Sequence, residues 1–170
     1  GPEALVRQLL LGRTYFNQVF GRDVESPVLY LPDSFGFPWS LPQLIAQSGM
    51  QYFLTIKMGW NDTNRIPYDS FWWQGIDGTR ILTHFASNEC NVFLSPGNLI
   101  KAWEKYPQPD EHQEIALLYG WGDGGGGPTA EMLENLRELA DFPAAPRVRP
   151  GKVKHFFDRL ENESGHNLPD

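Results

Sequence analysis

Two aspartates stand in contexts suited to chemistry. Asp33 lies in Leu-Pro-Asp-Ser-Phe-Gly-Phe-Pro-Trp (31–39), where Pro32 stiffens the approach, Gly36 permits a sharp turn, and Phe35 and Trp39 offer rings beside the acid. Asp123 lies in Gly-Trp-Gly-Asp-Gly-Gly-Gly-Gly-Pro-Thr (120–129), a loop almost bare of side chains apart from the acid and the indole, so a bulky ligand can approach the backbone closely. Two acids at the mouths of different strands suit glycosidic chemistry, in which one carboxylate attacks the anomeric carbon and the other protonates the leaving oxygen. Flat aromatic faces beside an acid suit the C–H face of a pyranose.

Other chemistries fit less well. Glycines before a helix invite phosphate, because bare amides at a helix N-terminus attract anions. No lysine follows them as a P-loop requires, and an acid inside the loop repels phosphate. The four histidines (His84, His112, His155 and His166) are scattered, with no His-x-His, His-x-x-x-His or Cys-x-x-Cys pair, so spacing alone assembles no three-ligand zinc site. His112 and His166 fall in polar stretches and read as solvated; His84 reads as a hydrogen-bonded core residue. Asp33 remains able to donate one ligand to a metal.

These residues need elements to position them. Apolar spacing predicts a helix from Glu3 to Phe20, a strand from Pro27 to Leu31, and a helix from Ser40 to Gly49 with Ser40 as its cap. A second strand follows at Tyr52 to Ile56. Phe71 to Arg80 reads as an aromatic hairpin turning at Asp77-Gly78 and leading into a strand Ile81 to Phe85, where the indoles pack a loop and do not serve as sugar platforms. Further on come a helix from Asn98 to Tyr106, a strand Ile115 to Tyr119, a helix opened by Pro128-Thr129, a short strand at Val148 and a helix Val153 to Leu160. Short apolar strands alternating with amphipathic helices indicate an α/β fold with a mainly parallel sheet flanked by helices. In such folds ligands gather at the C-terminal ends of strands. Asp33, Lys57, the Asn88-Glu89-Cys90 segment and Asp123 pass that filter. Each alone reads as a solvated loop group; their convergence carries the functional reading.

Composition narrows the class. The 170 residues hold 14 Lys+Arg against 21 Asp+Glu, a formal charge of −7. An acidic chain lacks the basic surface by which proteins bind nucleic acid or anionic membranes, so neither is expected as a partner. No apolar run is long enough to span a bilayer as a helix. A single cysteine, Cys90, forms no internal disulfide and leans toward a cytoplasmic setting. Oligomeric state is left open, a homo-oligomer included.

Four stretches then carry a resemblance. Leu-Pro-Asp-Ser-Phe-Gly (31–36) with Leu-Pro-Gln (41–43), Phe-Leu-Thr-Ile-Lys (53–57), Phe-Trp-Trp-Gln-Gly-Ile-Asp-Gly-Thr-Arg-Ile-Leu-Thr-His-Phe (71–85) and Gly-Asp-Gly-Gly-Gly-Gly-Pro-Thr (122–129) closely resemble glycoside hydrolase family 38 α-mannosidases of the cytosolic and bacterial type. The resemblance runs over nearly the whole chain. It implies a zinc-dependent, retaining exo-α-mannosidase acting on mannose-containing glycans, with a catalytic domain built as a seven-stranded β/α barrel. It further implies that Asp33 is the nucleophile and a zinc ligand, that Phe35 stacks on mannose, that Lys57 is a basic residue beside the nucleophile, and that Asp123 is the acid/base. Trp39 enters as a substrate-contacting ring. Family members carry a His-x-Asp pair on an earlier strand and a His-Asp pair downstream, and neither is present here. Residues 1–170 are therefore expected to be a partial catalytic domain, with the remaining zinc ligands outside this chain, and the isolated fragment is expected to be inactive. Ser87 to Cys90 reads as a shortened loop that reshapes the subsite wall. The competing expectation is a non-catalytic carbohydrate-binding or structural fragment.

Overall fold

Apolar tetrapeptides bounded by Pro and Gly leave too little length for a helix and enough β-favouring side chains for a strand. In the computed structural model, which describes residues 1–21, 26–86 and 91–170, the predicted order appears as α1 (Pro2–Phe20), β1 (Val28–Leu31), α2 (Leu41–Gln47), β2 (Tyr52–Thr55), β3 (Ser70–Gln74), β4 (Arg80–Phe85), α3 (Pro96–Lys105), α4 (Ala130–Glu138) and α5 (Val153–Ser164). The four strands form one sheet in the order β1-β2-β4-β3. β1, β2 and β4 run parallel, while β3 folds back antiparallel on β4 through the hairpin foreseen at Asp77-Gly78.

Both faces of the central strands are covered, so β2 is buried at every position. On one face Tyr52, Leu54, Ile56 and Leu82 pack against Phe156, Phe157 and Leu160 of α5. On the other, Phe53 and Ile81 meet Leu41 and Ile45 of α2, with Trp73 and Phe37 alongside. Burial of a side chain of this size stabilises by about 1.5–3 kcal/mol, so these two layers hold the sheet. The indoles of the hairpin serve that packing, whereas the sequence predicts a loop as their partner: Trp73 lies 5.5 Å from the Phe53 ring, and Trp72 Nε1 donates to the Gly165 carbonyl at 2.8 Å. The outer edge of β3 is covered by the C-terminal tail, with Trp72 N donating to the Pro169 carbonyl at 2.8 Å and Arg80 pairing with Asp170. No strand pairs with the outer edge of β1 among the described residues.

Three local expectations fail. Ile115 to Tyr119 does not form a strand; a single parallel bridge, Val92 to Tyr119, is all its backbone makes with another segment of that kind. A strand needs a neighbouring ladder to satisfy its amides, and none lies beside this run among the described residues. Val148 likewise lies in coil. Ser40 does not cap α2: its backbone is helical (φ −81°, ψ −3°) and its side chain accepts no first-turn amide. Thr129 and Ser95, in extended conformation, cap α4 and α3 instead by accepting from Met132 N and Asn98 N. The expectations for the 87–90 loop and for Cys90 fall outside the described residues.

Candidate active site at the β1–β2 edge

Strand register brings the first two functional residues together. Leu31 pairs with Thr55 at the carboxyl ends of β1 and β2, and Thr55 Oγ1 donates to the Leu31 carbonyl at 2.7 Å. Asp33 and Lys57 each lie two residues beyond that pair, so parallel strands less than about 5 Å apart must deliver them side by side. Lys57 Nζ is 3.3 Å from Asp33 Oδ1. The lysine side chain is 14% exposed and the aspartate 79%, so the cation is enclosed while the carboxylate faces solvent.

Two rings enclose that cation. Residues Lys57–Gly59 form a 3-10 turn, with Trp60 N donating to the Lys57 carbonyl at 3.0 Å. Three residues per turn eclipse the side chains at i and i+3, which stacks Trp60 on Lys57. The ammonium lies 3.4 Å from the Trp60 ring centroid and 5.9 Å from that of Phe35, and the two rings meet edge to face at 6.3 Å. Phe35 and Trp60 remain exposed on their outer sides. The sequence reading missed Trp60; a lysine followed three residues later by tryptophan, just past a strand end, is the signal that could have found it.

The other two candidates stand outside this contact network. Trp39 is tied to the hairpin: its Nε1 donates to the Gln74 carbonyl at 3.1 Å, and its own carbonyl accepts from Ile76 N. Asp123 sits on an exposed loop that closes on itself, with Trp121 N donating to the Gly127 carbonyl at 3.0 Å and Gly122 N donating to Asn91 Oδ1 at 2.7 Å. Gly120 has a φ of 107°, and a Cβ there would stand 2.8 Å from Pro128 N, so the loop closure demands glycine. Among the described residues the Asp123 carboxylate makes no hydrogen bond or ion pair, which leaves it open to a ligand.

Zinc, implied by the resemblance, needs three protein ligands at a catalytic centre. Among the described residues no group of three His, Cys, Asp or Glu side chains converges. His84 is buried with Nδ1 2.8 Å from Ser70 Oγ, as its strand position suggested. His112 is not solvated as its polar neighbours suggested: it is buried, with Nδ1 3.0 Å from Ser164 Oγ and Nε2 unpartnered among the described residues. The described residues thus do not compose a zinc centre by themselves, and Asp33 is the one exposed carboxylate of the cluster. A cavity of about 960 Å³ lies between α3, α4 and α5, but none of the five candidate residues lines it. Its lining is largely aliphatic, and its Glu114 is consumed by Arg149 and Arg159. Burial pushes the Glu114 carboxyl up, and hydrogen bonds from the two guanidinium groups outweigh that and hold it below the ordinary value.

The family model described as "Glycosyl hydrolases family 38 N-terminal domain" matches residues 1–170. The chain belongs to this family. The family 38 chain is 37% identical over 163 residues to Alpha-mannosidase 2C1 of Homo sapiens, covering 95% of this chain and 16% of that protein. It is 38% identical over 160 residues to Alpha-mannosidase G of Dictyostelium discoideum, covering 94% of this chain and 14% of the relative. It therefore spans about a sixth of the length of these relatives. The crystal structure of an alpha-mannosidase from Enterococcus faecalis V583 superposes with a TM-score of 0.72 at 17% identity, over 98% of this chain and 19% of that one. That likeness extends the fold agreement of the family 38 chain to nearly all its length.

Proposed function

We propose that the protein containing this chain hydrolyses terminal α-D-mannosides of mannose-containing glycans with retention of configuration, and that residues 1–170 are part of its catalytic domain. The observation that carries the reading is the Asp33 carboxylate, exposed at the carboxyl edge of parallel strands, oriented by Lys57 and flanked by Phe35, in a chain of family 38. The unpaired outer edge of β1 is what a further strand would cover, which supports continuation of this sheet into a seven-stranded β/α barrel.

In the first step Asp33 attacks the anomeric carbon, forming a mannosyl ester as the glycosidic C–O bond breaks, while the Asp123 carboxyl gives its proton to the departing oxygen. In the second, Asp123 takes a proton from water, the resulting hydroxide attacks the anomeric carbon, and the Asp33 carboxylate leaves. Lys57 holds the attacking carboxylate in place by its charge. Phe35 offers an apolar face to the sugar, and Trp39 walls the hairpin side. Asp33 would supply one ligand to zinc, with the remaining ligands expected from outside this chain, and the metal would supply Lewis-acid polarisation and help orient the sugar. The setting proposed is the cytoplasm, and the isolated 170-residue chain is inactive.

The test is hydrolysis of an aryl α-mannoside by the full-length protein, with the product anomer followed by NMR. Asp33→Ala is expected to lower the rate by at least about 10³-fold, the order lost when a nucleophile is removed. Retained activity in that variant would assign the nucleophile elsewhere. Sugar binding with no hydrolysis by the intact wild type would favour the carbohydrate-binding alternative.

A further inference from the structure

We infer that Trp60 is a positioning residue for Lys57, and through it for the Asp33 carboxylate, and is not a platform for the sugar. The inference rests on the proposed role of Asp33 and adds a residue that none of the four resemblance-bearing stretches contains. Its geometric basis is the 3-10 turn. The eclipsed side chains of residues 57 and 60 place the ammonium 3.4 Å from the indole centroid, at cation–π distance, while the same ammonium reaches Asp33 Oδ1 at 3.3 Å. A lysine has four rotatable side-chain bonds and no fork to fix it, so its direction depends on what it rests against. Here it rests on Trp60, with Phe35 more distant at 5.9 Å, and the two rings brace one another edge to face. The enclosure is why Lys57 is 14% exposed although its partner carboxylate is 79% exposed. The indole face that carries the ammonium is already occupied. Both rings keep an exposed outer side, but Phe35, farther from the cation, has neither face taken by the ammonium and is the ring we assign to the substrate.

The experiment uses the full-length protein and an aryl α-mannoside, with kcat and KM measured separately for the wild type, Trp60→Leu, Trp60→Gln, Trp60→Phe, Lys57→Gln, the Trp60→Leu/Lys57→Gln double variant and Asp33→Ala. A positioning role predicts that Trp60→Leu and Trp60→Gln each lower kcat about tenfold, the scale of a partly desolvated cation–π contact, with KM within about twofold. Trp60→Phe, which keeps an aromatic face, restores most of the rate. In the Lys57→Gln background, Trp60→Leu costs nothing further, because the lysine it positioned is gone. A rise in KM at unchanged kcat would make Trp60 a sugar platform and overturn the inference. So would losses that multiply in the double variant. If Asp33→Ala is dead while the Trp60 variants are normal, the proposed function stands and this inference falls; if Asp33→Ala is active, both fall.

Discussion

The Lys57–Asp33 pair, to which we assign a role in the proposed hydrolysis, contributes little to stability. The Asp33 partner is exposed and solvent-screened, a pair type worth about 0–1 kcal/mol, and the partly desolvated cation–π contact of Lys57 with Trp60 adds about 1 kcal/mol. Lys57→Met is therefore expected to change unfolding free energy by no more than about 2 kcal/mol in a urea titration while lowering mannoside hydrolysis more than tenfold. The buried histidines act in the opposite sense. Burial, and then His112, pushes His84 down to about 3, and burial lowers His112 despite the carboxylates of Glu114 and Glu163 nearby. His84 stays neutral in the fold where unfolded histidines, at 6.5, begin to take up protons, and His112 is shifted in the same direction. For His84 the unfolded chain then binds more protons, so its contribution is fully present above pH 6.5 and falls as the pH drops toward about 3, by about 1.4 kcal/mol per pH unit; the lowered His112 acts in the same direction. Urea titrations at pH 7.5, 6 and 5 should show this slope, reduced in His84→Gln; a flat profile over that range would contradict it. His84 was legible because it sits within an apolar strand, β4, that is buried on both faces. His112 was not, because Asp110, Glu111 and Gln113 give it polar neighbours while a distant helix, α5, supplies Ser164 and Phe156.

At the scale of elements, α5 matters more than its late position suggests. Phe157 is fully buried and stacks on Tyr52 at 4.7 Å with rings 9° apart, and Tyr52 Oη donates to Glu161 Oε2 at 2.6 Å. Phe157→Ala opens a cavity beneath β2 and is expected to cost about 3–5 kcal/mol, read as a lowered urea midpoint at unchanged slope. In the 120–127 loop, Gly120→Ala forces a side chain into a positive φ and against the Pro128 backbone. It is expected to leave global stability nearly intact while reducing hydrolysis, since the loop that carries Asp123 loses its closure. The β1, β2 and hairpin strands were legible because each apolar run has a neighbour within the chain. Ile115 to Tyr119 has a similar composition but, among the described residues, only the single bridge from Tyr119 to Val92, and sequence pattern cannot report who sits alongside.

Across the whole molecule, order is uneven. α1 buries none of its residues, and Leu11, Phe16 and Phe20 lie exposed along it, whereas β2 is buried throughout. Hydrogen exchange of this chain is expected to be faster in α1, which meets the core mainly through Leu9, than in β2 and β4, where it should be slowest. Equal protection in α1 would show that it packs more firmly than its exposure indicates. The acidic charge and the parallel α/β plan were readable from composition and periodicity; contacts between distant segments, such as the tail against β3, were not, because they depend on three-dimensional closure. The pairing of Leu31 with Thr55 carries a last consequence. A slip of one residue between β1 and β2 would slide Asp33 about 3.3 Å past Lys57 and turn alternate side chains to the wrong layer. In the full-length protein, specific activity per folded molecule would then serve as a fidelity gauge for the proposed hydrolysis: misregistered molecules would keep helical and sheet content yet be silent, and a refolding yield measured by spectroscopy alone would overcount them.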